Sequence, residues 1–262
     1  MSGFLAALWV EGLKVRRSRV FPVTIALFAF IAVMMALLMV VANHPELAGR
    51  SATMGAKASR LGNGDWASYL ALLIQTILAL GQMGYGIVTS WIFGREYSDH
   101  VVKDLLALPT SRSSIVGAKF VLCMAWCILL SAVLLVTALV TGWAATLPGW
   151  SPAAARQAVA TFSVGAFLTI LLSSPIAFAA SASRGVLLPI AVVILLLIVT
   201  QLLGMGIPGI MPYFPWAIPA VYSGAAGSAL PAASPVSLLI LILTFALGVG
   251  ATTVWWKAAD QT

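Results

Sequence analysis

Charge is scarce in this sequence. Asp, Glu, Lys and Arg make up 8% of its 262 residues, against about 25% in a soluble domain. Histidine is scarcer, with only His44 and His100. That leaves no His-Glu-x-x-His zinc helix and little material for histidine-based acid–base or nucleophilic chemistry. The two cysteines, Cys123 and Cys127, fall four apart in one apolar run that contains no histidine. They read as small apolar residues packed in a helix rather than as metal ligands. None of the five lysines follows a glycine, which excludes a Walker-type phosphate-binding loop. The long apolar runs carry no ionisable residue in their middles. Proton-coupled transporters and pumps usually use such groups, which argues against proton-driven transport and for an energy source outside the membrane. No catalytic set and no metal set is predicted.

Apolar sequence fills the space that charge leaves. Hydrophobic residues are 61% of the chain, and mean hydropathy is +1.06. Six runs, 21–42, 66–93, 115–141, 156–180, 186–205 and 236–256, approach or exceed the roughly 20 residues that cross a bilayer as a helix. They are continuous rather than alternating, which excludes a β-barrel. The fold class is therefore an all-α integral membrane protein, one domain over residues 1–262.

The net charge of +7 points to membrane topology and not to nucleic acid. With the N-terminus inside, Lys14, Arg16, Arg17, Arg19, Arg95, Lys103, Arg112, Lys119, Arg184 and Lys257 lie on inner segments. Arg50, Lys57, Arg60 and Arg156 lie on outer ones. Ten against four satisfies the positive-inside rule with both termini cytoplasmic.

The longest charged passage, 93–112, sits between the second and third runs. Read at 100° per residue, Tyr97, Val101, Val102, Leu105, Leu106 and Leu108 share one half of a helix. Glu96, Asp99, His100, Lys103 and Asp104 share the other, with Asp99 four before Lys103, the favourable order for an ion pair. Pro109 ends the helix, and the hydroxyls of 110–114 can cap the next one. The reading is an amphipathic surface helix whose polar face meets something in water. Residues 4–19 form a second amphipathic stretch, with Phe4, Leu5, Leu8, Trp9, Leu13 and Val15 on one side and Glu11, Lys14 and Arg17 on the other. Its basic cluster follows the apolar part, so it reads as an interfacial helix on the inner leaflet rather than a signal peptide.

In the second run Gln75, Gln82 and Thr89 recur every seven residues and form one polar stripe, either glue between helices or a face toward a pathway. Thr200 and Gln201 lie near the outer end of the fifth run. Pro175 predicts a kink in the fourth. Residues 206–235 carry six prolines, no charge and the aromatics Tyr213, Phe214, Trp216 and Tyr222. Re-entrant or half-inserted helices fit such a stretch better than a solvated loop.

The run Gly94-Arg95-Glu96-Tyr97, then Lys103-Asp104-Leu105-Leu106-Ala107-Leu108-Pro109-Thr110-Ser111-Arg112, then Gly117-Ala118-Lys119 resembles the first cytoplasmic loop of ABC-2-type transporter permeases. The likeness is strongest to the half-size bacterial permeases of the bacitracin- and lantibiotic-resistance kind. Trp9…Glu11…Leu13-Lys14…Arg16-Arg17-Ser18-Arg19 is similar to that family's N-terminal elbow helix. Ser183-Arg184-Gly185 with Leu188-Pro189 is similar to its second cytoplasmic turn, although Val186 stands where an aromatic is frequent. Pro215-Trp216…Pro219 looks like its short external helices between spans five and six.

The resemblance implies an elbow helix over 1–19 and a cytoplasmic coupling helix between spans two and three. It also implies an ABC ATP-binding subunit in two copies, with ATP and magnesium held there, and a second permease subunit as a homodimer in the bacterial plasma membrane. It implies coupling roles for Arg95, Glu96, Asp99, Lys103, Asp104, Pro109 and Arg112, and a pathway lined by Gln75, Gln82, Thr89 and Gln201. The expected function is export of a hydrophobic or amphipathic antibiotic, peptide or lipid. The alternatives are a membrane scaffold or immunity protein that needs no ATP, and an intramembrane lipid enzyme, for which no residue constellation exists.

Overall fold

Backbone polar groups in a bilayer must be satisfied within the protein, and a helix does this inside one segment. The computed structural model describes residues 3–44, 64–98, 110–225 and 234–258, and among these there are helices and no strands. The helices are α1 (Gly3–Arg17), α2 (Val20–Asn43), α3 (Trp66–Ser98), α4 (Arg112–Ala144), α5 (Pro152–Leu171), α6 (Ser174–Ala182), α7 (Leu187–Gly206), α8 (Ile218–Tyr222) and α9 (Pro235–Ala258). Among the described residues six segments are long and apolar enough to span a membrane: α2, α3, α4, α5 with α6, α7 and α9. This is a multi-pass, all-α membrane protein.

Helix ends follow local chemistry. Pro22 sits in the first turn of α2, where a missing amide hydrogen costs nothing. Asp65 accepts from the Ser68 amide at 2.9 Å and starts α3. Ser111 and Ser151 take the amides of Ser114 and Ala154 and start α4 and α5. The kink expected at Pro175 is a full break: α5 stops at Leu171, and α6 restarts at Ser174 with the proline in its first turn.

The charged passage departs from its sequence reading at its start. The helix of the second run does not stop at 93; α3 runs unbroken through Gly94 to Ser98. A Cβ at Gly94 would lie 2.5 Å from the Gly185 carbonyl oxygen. The glycine is there for close approach of α3 to the turn between α6 and α7. Residues 99–109 of that passage, including Asp99, Lys103, Asp104 and Pro109, lie outside the described residues.

α3 is the hub, packed against α2, α4, α5, α6 and α7. α1 lies on α4. One end of the bundle gathers the ends of α1, α3, α6 and α9 and the starts of α2, α4 and α7, with most of the charge. The opposite end gathers Trp66, Trp143 and Trp150, whose rings meet pairwise at 4.6–5.8 Å. The proline-rich segment also lies there, as 3₁₀ turns Pro208–Tyr213 and Pro215–Ala217 followed by α8. It tucks inward: Ile218 is fully buried beside Leu172 and Leu241, and Ala217 and Val221 close over Met211.

Polar ties between spans are few and specific. Tyr69 donates to the Ala138 carbonyl at 3.0 Å, Trp126 to Thr24 at 3.2 Å and Trp256 to Ser181 at 3.0 Å. The Tyr85 and Ser131 hydroxyls meet at 2.6 Å. Such bonds contribute about 0.6 kcal/mol on average inside a bilayer. Tyr85→Phe should therefore lower stability by roughly that amount, measurable by reversible unfolding in mixed micelles.

Candidate functional site

Two polar features stand out in this apolar bundle, one at the charged end and one toward the aromatic end. The first is a buried cluster of four charges from three helices. Glu11 and Lys14 stand one turn apart on α1, Glu96 near the end of α3, and Lys119 in the second turn of α4. The Lys119 ammonium is 1% exposed and donates to Glu11 Oε2 at 3.1 Å and to the Ile92 carbonyl at 3.0 Å, with Glu96 Oε1 at 3.0 Å. Its three protons are thus all met. Lys14 reaches Glu11 Oε1 at 2.6 Å and Glu96 Oε1 at 2.7 Å. Two carboxylates and two ammonium groups cancel, which is the condition for burying charge at all.

Burial disfavours the Lys14 ammonium, but Glu96 and Glu11 outweigh it and hold its pKa above the ordinary lysine value. A raised folded-state pKa means that its contribution is complete at neutral pH. It is lost only as pH rises through that raised value.

Trp256 of α9 covers the cluster, its ring 5.8 Å from the Lys119 nitrogen and 6.0 Å from the Tyr97 ring. Arg112, at the start of α4, donates to the Trp256 and Lys257 carbonyls at 3.2 Å each. These are orphan acceptors at the end of α9, so the guanidinium caps that helix. Arg95 stacks over the Trp91 ring at 4.9 Å.

This corrects two assignments of helix face. Glu96, expected on a polar face offered to water, is 2% exposed and turned into the protein. Glu11, expected on the polar side of α1 with Lys14 and Arg17, is 5% exposed and faces Lys119. α1 thus uses the narrow stripe Ala7, Glu11 and Val15 to pack, while Phe4, Leu5, Trp9 and Val10 stay exposed. Sequence reasoning did not single out Glu11, Lys14 and Lys119 as site residues. The available signal was a glutamate and lysine three apart on an amphipathic helix, together with a lysine one turn inside a span.

The second feature is a cavity of about 450 Å³ between α3, α7 and the proline-rich segment. Gln75 and Gln82 line it from α3, Thr200 and Gln201 from α7, and Trp216 and Pro219 close it toward the aromatic end. Gln75 and Gln201 are exposed to it, while Gln82 is buried and its amide nitrogen meets no acceptor. The wall is apolar apart from these neutral groups.

Thr89, the third member of the predicted stripe, lies elsewhere. It is fully buried against α4, donates to the Tyr85 carbonyl at 2.7 Å and sits 3.1 Å from Cys123 Sγ. Among the described residues no three His, Cys, Asp or Glu side chains assemble as metal ligands.

Residues 7–200 match the family described as ABC-2 family transporter protein. The chain is also 31% identical over 192 residues to the bacitracin transport permease protein BCRB of Bacillus licheniformis. The alignment covers 70% of this chain and 87% of that protein. The family match runs from α1 into α7 and takes in the whole charge cluster along with Gln75 and Gln82.

Proposed function

Because this chain belongs to the ABC-2 family of transporters, we propose that it is the membrane permease of an ATP-driven exporter. It works with a separate ATP-binding subunit in two copies, which holds ATP and magnesium, and with a second permease that is a copy of itself. The charged end, with both termini, faces the bacterial cytoplasm, as the excess of lysine and arginine there supports. The aromatic end faces outward.

The anchoring of the 99–109 segment carries this reading. On one side Glu96 is fixed in the ion cluster with α1 and α4; on the other Arg112 is fixed to the end of α9. A push on the intervening residues by a docked ATPase is passed to four helices at once. Arg95, Asp99, Lys103, Asp104 and Pro109 are the proposed contact residues. Glu96 and Arg112 act as anchors that transmit the movement.

α3 then links this end to the cavity, since Gln82 lies on the same helix as Glu96. Neutral carboxamides in an apolar wall suit an amphipathic cargo with uncharged hydrogen-bonding groups. The similarity to a bacitracin permease supports an antibiotic or peptide cargo over an ion.

Native purification followed by an ATPase assay tests the reading. The expected result is capture of an ATP-binding subunit with hydrolytic activity. A chain that comes out alone and is indifferent to ATP would overturn it and favour an ATP-independent scaffold. Gln82→Leu should change export rate or substrate range several-fold while leaving ATPase capture intact. Loss of capture would instead make Gln82 structural.

A further inference from the structure

α4 and α5 are consecutive in the chain but poorly mated. α5 packs mainly on α3, and α4 mainly on α2 and α1. Between them run two clefts in line. The first, about 700 Å³, opens beside Trp150 and Arg156 and is lined below by Leu139, Val159 and Ala160. The second, about 260 Å³, continues between Leu135 and Ile128 of α4 and Phe162 and Ile170 of α5. The lining residues step along both helices by three or four, so the two clefts form one track. From Arg156 to Ile170 it runs about 21 Å along the axis at 1.5 Å per residue. The hydrocarbon depth of one leaflet is about 15 Å, half of a core of about 30 Å.

The chemistry changes along the track. Arg156 is exposed at the mouth, and among the described residues nothing pairs with it. Trp150 lines the mouth with it and meets Trp143, and indoles settle at the membrane interface. Below the mouth no polar group is free: Ser131 donates to the Cys127 carbonyl at 2.8 Å and Ser163 to the Val159 carbonyl at 2.8 Å. The occupant is therefore anionic at one end and apolar for the rest of its length.

We propose that this track is a binding site for one anionic phospholipid, its phosphate on Arg156 and one acyl chain along the α4–α5 cleft. The track shares no lining residue with the cavity between α3 and α7, and does not depend on what is exported.

The test is native mass spectrometry of the full chain released from mixed micelles of phosphatidylglycerol and phosphatidylcholine with identical acyl chains. The wild-type chain should retain phosphatidylglycerol over phosphatidylcholine by roughly fivefold, the factor one arginine supplies toward an anionic lipid. Arg156→Gln should bring that ratio to the ratio in the micelle, and Arg156→Lys should keep most of it. Ala160→Trp, which fills the cleft from its exposed lip, should remove retained lipid of both kinds. An unchanged ratio in Arg156→Gln, or undiminished retention in Ala160→Trp, would overturn the proposal.

Discussion

Lys119→Met should destabilise the protein by about 3–5 kcal/mol, the loss seen when one partner of a buried ion pair is removed. The packing volume is nearly kept, so the loss is electrostatic. Glu11 and Glu96, 5% and 2% exposed, would be left with only Lys14 between them, a net buried negative charge. α1 would suffer most, because Glu11 and Lys14 are its polar ties to the bundle. Thermal unfolding in detergent should report the loss. Faster tryptic cleavage at Arg16 and Arg17 should report release of α1. Glu11→Gln added to Lys119→Met restores a neutral Glu96–Lys14 pair and should recover part of the stability. Full additivity of the two changes, or a single variant as stable as the wild type, would show that the cluster does not hold the helix.

Gly248→Leu should cost about 3 kcal/mol, the upper part of the usual range for overpacking. A Cβ at this position would lie 2.6 Å from the backbone nitrogen of Pro175, the carbonyl carbon of Ser174 and Ser174 Oγ. Two of the three are main-chain atoms at the start of α6 and cannot rotate away. Separation of α6 from α9 would also break the 3.1 Å bond from Ser174 to the Phe245 carbonyl. Gly250, two residues on, has nothing within 4 Å of its notional Cβ, so Gly250→Ala should be neutral or slightly stabilising in the same melt. If both variants melt alike, close contact between α6 and α9 is not what Gly248 provides.

Hydropathy, caps and breaks are local properties, so the sequence made them legible. Six spans followed from runs of apolar residues, and the hydroxyls of 110–114 marked the start of α4, where Ser111 is the cap. The glutamines were half legible. A seven-residue spacing falls about 20° short of two full turns, so Gln75 and Gln82 share a cavity while Thr89 drifts round toward α4. Thr89 also satisfies its hydroxyl on its own helix, which leaves it no need of a pathway.

The charge cluster was not legible, because its members lie 82 and 108 residues apart in the chain. An amphipathic wheel assigns Glu11 and Glu96 to the wet side, since it compares residues only with water and grease. It has no term for a lysine arriving from another helix.

By itself the sequence determined that this is a six-span helical membrane protein, because composition and hydrophobic run length are sufficient for that. Only the tertiary structure decided which charges are buried and which polar groups share a cavity. Burial of an ion becomes favourable only when distant partners reach it, and that depends on how helices cross rather than on any one helix.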